Sequence, residues 1–344
     1  MKLNSEYVSR APEWRSDGED TINLPASHVV DHHVLIVDYD WAVAGGTGAG
    51  AIHSDAYARI LREFVLRGNN QDLQSLSGSA LHLYNLLLQR ESFTQTPPTS
   101  VAAGAAQAAR QSVILLPTGH MGHAAFGGRE FAFPPILSPK ATFRWGTAQD
   151  LTTSAADGVA SFANVRTKLL ERFHQQPLPP RGGYAPVLIA QKTQQVAAAG
   201  SLTVELDFLF SASTGGPGME VRAILVEGLT DGVGGRRYAP SNAVVTDLRV
   251  KISGETVRER VEFADMRQLN KVTYGLGTLV TGAVLLDAAE DETVVAGELW
   301  TVHGRGANEV ILTVAPQGAG QNMVRVTTVY TAGRFDVAAR RRAG

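Results

Sequence analysis

The chain has 344 residues, with 31 Lys and Arg against 33 Asp and Glu, for a net charge of −2. Hydrophobic residues make up 44% and charged residues 19%, which excludes a disordered chain and allows about two or three domains. The charge balance excludes a wholly basic nucleic-acid binder. The absence of cysteine excludes disulfides, thiolate zinc centres, iron–sulfur clusters and a cysteine nucleophile.

The opening MKLNSEYVSRAPEW lacks the apolar centre of a secretory leader, and no run of about 18 apolar residues is present. Residues 1–24 are polar and are expected to form an arm with no core of its own. Val29–Tyr39, VVDHHVLIVDY, is rich in β-branched residues and predicts the first strand. GGTGAG at Gly45–Gly50 breaks that pattern as a loop. Ala58–Arg67 is apolar but has no decisive period, and Gly68-Asn69-Asn70 marks a turn. Ser77–Leu88 predicts a helix, with Leu81, Tyr84, Leu87 and Leu88 at steps of three and four and Ser77 or Ser79 as its cap. An Ala-rich loop, Thr94–Gln111, leads to strands at Ser112–Leu116, Glu130–Phe133 and Ala141–Trp145. Residues 161–183, ending in PLPPRGG, read as a connector near the midpoint of the chain.

The second half has the same rhythm. Strands are expected at Pro186–Ala190, Ser201–Phe210, Glu220–Glu227 and Val244–Ile252, the last turning at Ser253-Gly254. A helix follows at Phe263–Val272, then strands at Gly282–Asp287, Val294–Val302, Glu309–Val314 and Met323–Tyr330. The helices carry the signature of a repeat. Leu83-Tyr84-Asn85 ends 17 residues after Gly68, and Gln268-Leu269-Asn270 ends 16 residues after Gly254. Eight or so short strands and one inserted helix per half, with Gly and Pro turns, predict an all-β protein of two tandem eight-stranded jelly rolls. The expected units are an arm (1–24), a first jelly roll (25–160), a linker (161–183), a second jelly roll (184–333) and a basic tail (334–344).

No catalytic constellation stands out. GTGAGA at Gly46–Ala51 loosely matches a dinucleotide fingerprint but has no βαβ context, so no cofactor is expected. His32 and His33 alternate across a strand and cannot share one metal. His120 and His123 have closer to ligand spacing but no evident third ligand, and the acidic turn with Asp287 and Asp291 lacks calcium-loop spacing. These four are the weak metal candidates. Glu205 and Asp207 share a strand face without an identified partner, and Trp14, Trp41, Trp145 and Trp300 are scattered. A carbohydrate-binding or glycan-hydrolysing β-sandwich is therefore the rival reading rather than the main one. Arg334, Arg340, Arg341 and Arg342 make a basic tail suited to phosphate on a membrane or genome.

ARILREFVLRGNNQDLQSLSGSALHLYNLL and VVTDLRVKISGETVRERVEFADMRQLNKVTYG each give strand, turn and helix. With TFRWGTAQDL and GAVLLDAAEDETVVAGELW, they make residues 25–333 resemble the double jelly-roll major capsid proteins of the PRD1–adenovirus lineage, above all those of membrane-containing icosahedral bacteriophages. That resemblance implies a non-enzymatic shell subunit, assembled in the host cytoplasm and resident in the virion. It implies a homotrimer of pseudo-hexagonal outline that contacts neighbouring trimers, penton or vertex proteins and an internal lipid membrane, without reading a specific nucleic-acid sequence. A minor or vertex virion protein of the same fold is the third reading.

Overall fold

The computed structural model describes residues 3–25, 29–44, 50–68, 71–88, 100–101, 108–117, 139–152, 159–174, 187–206, 208, 219–230, 238–288, 300–302, 306–318 and 321–331. The first half contains β1 (Leu3–Tyr7), β2 (Glu19–Asn23), β3 (Val29–Ala44), β4 (Gly50–Ala51), α1 (Ala56–Arg59), β5 (Leu61–Gly68), β6 (Gln71–Leu76) and α2 (Gly78–Leu88). It continues with β7 (Ser100–Val101), β8 (Ala108–Leu116), β9 (Lys140–Trp145), a 3-10 turn at Ala148–Leu151 and β10 (Val159–His174). The second half contains β11 (Val187–Val196), β12 (Gly200–Glu205), β13 (Met219–Thr230), β14 (Ala239–Pro240), β15 (Val245–Ile252) and β16 (Glu255–Glu262). It ends with α3 (Phe263–Thr273), β17 (Ala283–Asp287), β18 (Trp300–Val302), β19 (Glu309–Val314) and β20 (Asn322–Thr331).

The strand orders show the duplication directly. In the first half one sheet runs β1-β10-β3-β8 and the other β2-β9-β5-β6. In the second half one sheet runs β11-β20-β13-β17 and the other β12-β19-β15-β16. Setting aside the short β4, β7, β14 and β18, each half has eight strands, ordered first-eighth-third-sixth and second-seventh-fourth-fifth. That is the same jelly roll twice, and all pairings inside each unit are antiparallel. Among the described residues, one strand pairing joins the two sets of strands, and it is parallel: β6 meets β11 with Gln74 opposite Ile189, joining two sheets into one surface.

Alternation explains how these strands hold their cores. Along β15 and β19 the apolar residues Leu248, Val250, Ile252, Val310, Leu312 and Val314 are buried, while the alternate residues Arg249, Lys251, Ile311 and Thr313 are only partly buried. In the first unit Phe143 stacks on Trp145 at 5.8 Å, and Phe64 packs on Phe143 at 5.6 Å. Full burial of each such ring contributes about 1.5–3 kcal/mol or more by area. Helix α2 enters this core so closely that a Cβ on Gly78 would lie 2.0 Å from the Ala58 carbonyl oxygen, so glycine is required there. The Ser253-Gly254 hairpin turn has positive φ at both residues, 54° and 82°, the geometry that matches strand twist.

Several expectations need correction. Residues 1–24 are not a coreless arm: β1 pairs with β10, β2 pairs with β9, and Val8 and Ile22 are buried. Residues 161–174 are not linker but most of β10, a 16-residue strand between β1 and β3. The first jelly roll therefore draws on strands from Leu3 to His174 rather than on residues 25–160. Ala58–Arg67 divides into the end of α1 and the strand β5. Strand β13 runs three residues past the expected Glu227, through Gly228–Thr230. The expected loop at 45–49, the strand at 130–133 and the tail at 334–344 lie outside the described residues.

Candidate functional site

The two helices occupy the same place in their units and reveal how the units are tied. Both have 11 residues with asparagine at the eighth position, Asn85 in α2 and Asn270 in α3. Each is buried and binds the backbone of its unit's sixth strand. Asn85 Nδ2 donates to the Leu115 carbonyl at 3.0 Å. Asn270 Nδ2 donates to the Leu285 carbonyl at 2.8 Å, while its Oδ1 accepts from the Leu285 N–H at 2.7 Å. The spacing seen in sequence thus marks a helix-to-strand latch, a role that composition alone could not assign.

The surroundings of the helices differ. The N-terminus of α2 lies in the seam between the units. The Ser77 N–H donates to Gln191 Oε1 at 2.6 Å, and Gln191 Nε2 donates to Ser77 Oγ at 3.2 Å. Arg325 of β20 donates to Ser79 Oγ at 2.5 Å and to Glu227 Oε1 at 3.3 Å. Arg59 binds Asp55 at 2.6 Å and the Tyr238 carbonyl at 2.9 Å. A cavity of about 400 Å³ opens here between Ser79, His82, Leu83 and Leu86 of α2 and the segment 276–281. Burial raises the Glu227 carboxyl above its ordinary range, and nearby Arg325 only partly offsets this. Burial likewise lowers the His82 imidazole. For Asp55 burial acts upward, but Arg59 and the neighbouring histidines prevail and hold the carboxyl low. These opposed charges suit a fixed junction between two folded units.

In α3, by contrast, only Phe263, Met266 and Asn270 are buried. Leu269 is 40% exposed and Val272 is 79% exposed, and with Tyr7 they are the exposed large hydrophobics among the described residues. The strand before α3, β16, has no buried residue. Among the described residues, β16 and β1 each pair on one side only, so both leave a free sheet edge.

The metal candidates fare differently. Asp287 is buried in β17, where Arg222 binds both its carboxylate oxygens, the second at 3.0 Å, and Tyr274 donates to Oδ2 at 3.1 Å. Its oxygens are thus already committed to an arginine and a phenol. His120, His123 and Asp291 lie outside the described residues, as do Arg334, Arg340, Arg341 and Arg342. No group of three or more His, Asp or Glu among the described residues has metal-binding geometry. His32 and His33 are both buried, and His33 Nε2 lies 3.2 Å from Glu171 Oε2. Trp41 and Trp145 are core residues, and Trp14 and Trp300 pack against the core, so the tryptophans do not form an exposed sugar platform. No helix among the described residues is long and apolar enough to cross a membrane.

No protein-family model and no curated protein matches the sequence. Solved structures do match over nearly the full chain. The virion structure of Sulfolobus Turreted Icosahedral Virus includes a chain with a TM-score of 0.68 at 16% identity, covering 99% of this chain and 94% of that one. The crystal structure of the STIV MCP gives 0.66 at 16% identity, covering 98% and 100%. The major capsid protein P2 of bacteriophage PM2 gives 0.54 at 10% identity, covering 96% and 97%. Duplicated strand order, matched helices and end-to-end superposition agree: this chain has the double jelly-roll fold of those major capsid proteins.

Proposed function

We propose that the chain is the major capsid protein of an icosahedral virus, a structural subunit that acts by self-association and carries out no catalysis. The observation that supports this most is the end-to-end match of one duplicated jelly roll to capsid subunits, with neither chain leaving a large remainder. The subunit forms trimers, and six similar units from three chains give a pseudo-hexagonal tile. Heterologous contacts of this kind close into rings when the rotation permits. The tiles meet one another and vertex proteins in a virion shell assembled in the host cytoplasm. The basic tail with Arg334, Arg340, Arg341 and Arg342 faces inward to phosphate, from an internal lipid membrane or from the genome.

Negative-stain imaging of the purified protein tests the reading: particles of pseudo-hexagonal outline support it, and isolated two-lobed particles contradict it. Deleting Arg340–Gly344 tests the tail. Reduced lipid or genome content in assembled particles supports the inward role, and unchanged content removes it.

A further inference from the structure

We propose that a second cavity in the seam, at the N-terminus of α2, binds a small free oxyanion, phosphate or sulfate, held jointly by the two jelly rolls. The cavity measures about 350 Å³. Arg59 and Arg62 line it from the first unit with Ser77, Gly78 and Ser79, and Arg325 lines it from β20 of the second. Its walls carry these three guanidinium groups against one carboxylate, that of Asp150. That carboxylate is already engaged: Oδ2 accepts from the Thr147 N–H at 2.6 Å and lies 3.6 Å from Arg62 Nη2.

The donors of the cavity are only partly used. Arg59 donates from Nε to Asp55 and from Nη1 to the Tyr238 carbonyl, which leaves Nη2. Arg325 is 9% exposed and directs Nη1 to Ser79 Oγ and Glu227. Among the described residues its buried Nε and its Nη2 have no hydrogen-bond partner. Polar groups so enclosed are normally satisfied, so the open ones call for an acceptor. Burial pushes the Glu227 carboxyl toward its neutral form, so Glu227 balances Arg325 incompletely. The helix adds two further donors. The Ala80 and Leu81 N–H groups bind the Ser77 hydroxyl and carbonyl, at 3.3 and 2.9 Å. Those of Gly78 and Ser79, residues that both line the cavity, have no such partner among the described residues. Open N–H groups and the dipole at a helix N-terminus favour anions.

This chemistry selects the ligand. Every open group named above is a donor, so the ligand is an acceptor, and the arginines require it to be anionic. Guanidinium forks match an oxyanion whose several oxygens accept from several directions at once. Bound there, the ion bridges donors of both units.

Isothermal titration calorimetry tests the site on the full chain, dialysed free of phosphate and sulfate and titrated with inorganic phosphate at fixed ionic strength. Saturable binding of one phosphate per chain is expected. Arg325→Gln removes the enclosed guanidinium. Arg62→Gln removes a partly exposed one and leaves Asp150 to repel the anion. Each is expected to weaken binding about tenfold or more. Arg67→Gln makes the same change of charge on β5 at a residue that does not line the cavity, and is expected to leave binding unchanged. Should circular dichroism show Arg325→Gln unfolded, Arg62→Gln alone decides. No saturable binding by the parent overturns the proposal. So does undiminished binding by a folded cavity variant, the result if the basic tail were the source, or an equal loss in Arg67→Gln.

Discussion

At the scale of single residues, the two buried ionic sites make opposite demands on pH. His33 is fully enclosed, and burial outweighs the nearby Glu171 to hold its imidazole below the ordinary 6.5; adjacent His32 acts in the same direction. The unfolded chain therefore takes up a proton near 6.5 that the folded chain resists. The contribution of His33 is fully present above that value and is lost as pH falls below it, toward the lowered folded pKa. Glu227 has the reverse sign: its raised folded pKa supplies stability that is lost as pH rises from its ordinary 4.5 through the folded value. The substitution that isolates the first effect is His33→Gln. Thermal melts at about pH 7.5 and about pH 5.5 are expected to show a smaller acid-induced drop in Tm for this variant than for the parent.

Asp287 gives the second prediction at this scale. Its carboxylate neutralises buried Arg222, so Asp287→Ala strands a cation inside the second jelly roll. Denaturant unfolding is expected to show a loss of about 3–5 kcal/mol, and calcium is expected to leave the Tm of the parent unchanged. The acidic sequence of this turn was legible, but the arginine 65 residues away that engages Asp287 was not, because only folding brings β13 beside β17.

At the scale of elements, the helices and most central strands were legible because their apolar spacing matches the faces they bury. Ser77 also caps α2 as its position suggests, accepting from the Ala80 N–H at 3.3 Å. Strand β10 was not legible. Its inward residues include Leu169 and Phe173, but Arg166, Lys168 and Arg172 interleave with them, and its long pairing with β3 is a tertiary fact. The strands β1 and β2 were hidden similarly: Val8 and Ile22 are isolated apolar residues in polar surroundings, and only their partners reveal a core. The asparagine latches lead to a third prediction. Asn270 satisfies both the N–H and the carbonyl of Leu285, whereas Asn85 makes one bond, to Leu115. Asn270→Ala is therefore expected to cost about 2–3 kcal/mol and Asn85→Ala about 1 kcal/mol, as measured by chemical denaturation. Equal losses would show that the latches are not the source of the difference.

At the scale of the whole molecule, the repeat was visible as order rather than identity. Matched helix lengths and matched asparagines survive where the other helix residues do not: α2 has Gly78 and Leu83 where α3 has Phe263 and Gln268. The difference has a physical basis, since α2 sits in the seam between the units, whereas α3 follows β16, which among the described residues pairs on one side only. What a single sequence could not display is the joining of the two units through β6 and β11, a parallel contact between strands more than 100 residues apart. Under the proposed function, this chain is a shell subunit that assembles with copies of itself. The measurement that addresses this most directly is the native mass by light scattering at two concentrations. A stable species near three times 36.7 kDa is the predicted result, and a monomer at both concentrations would contradict it.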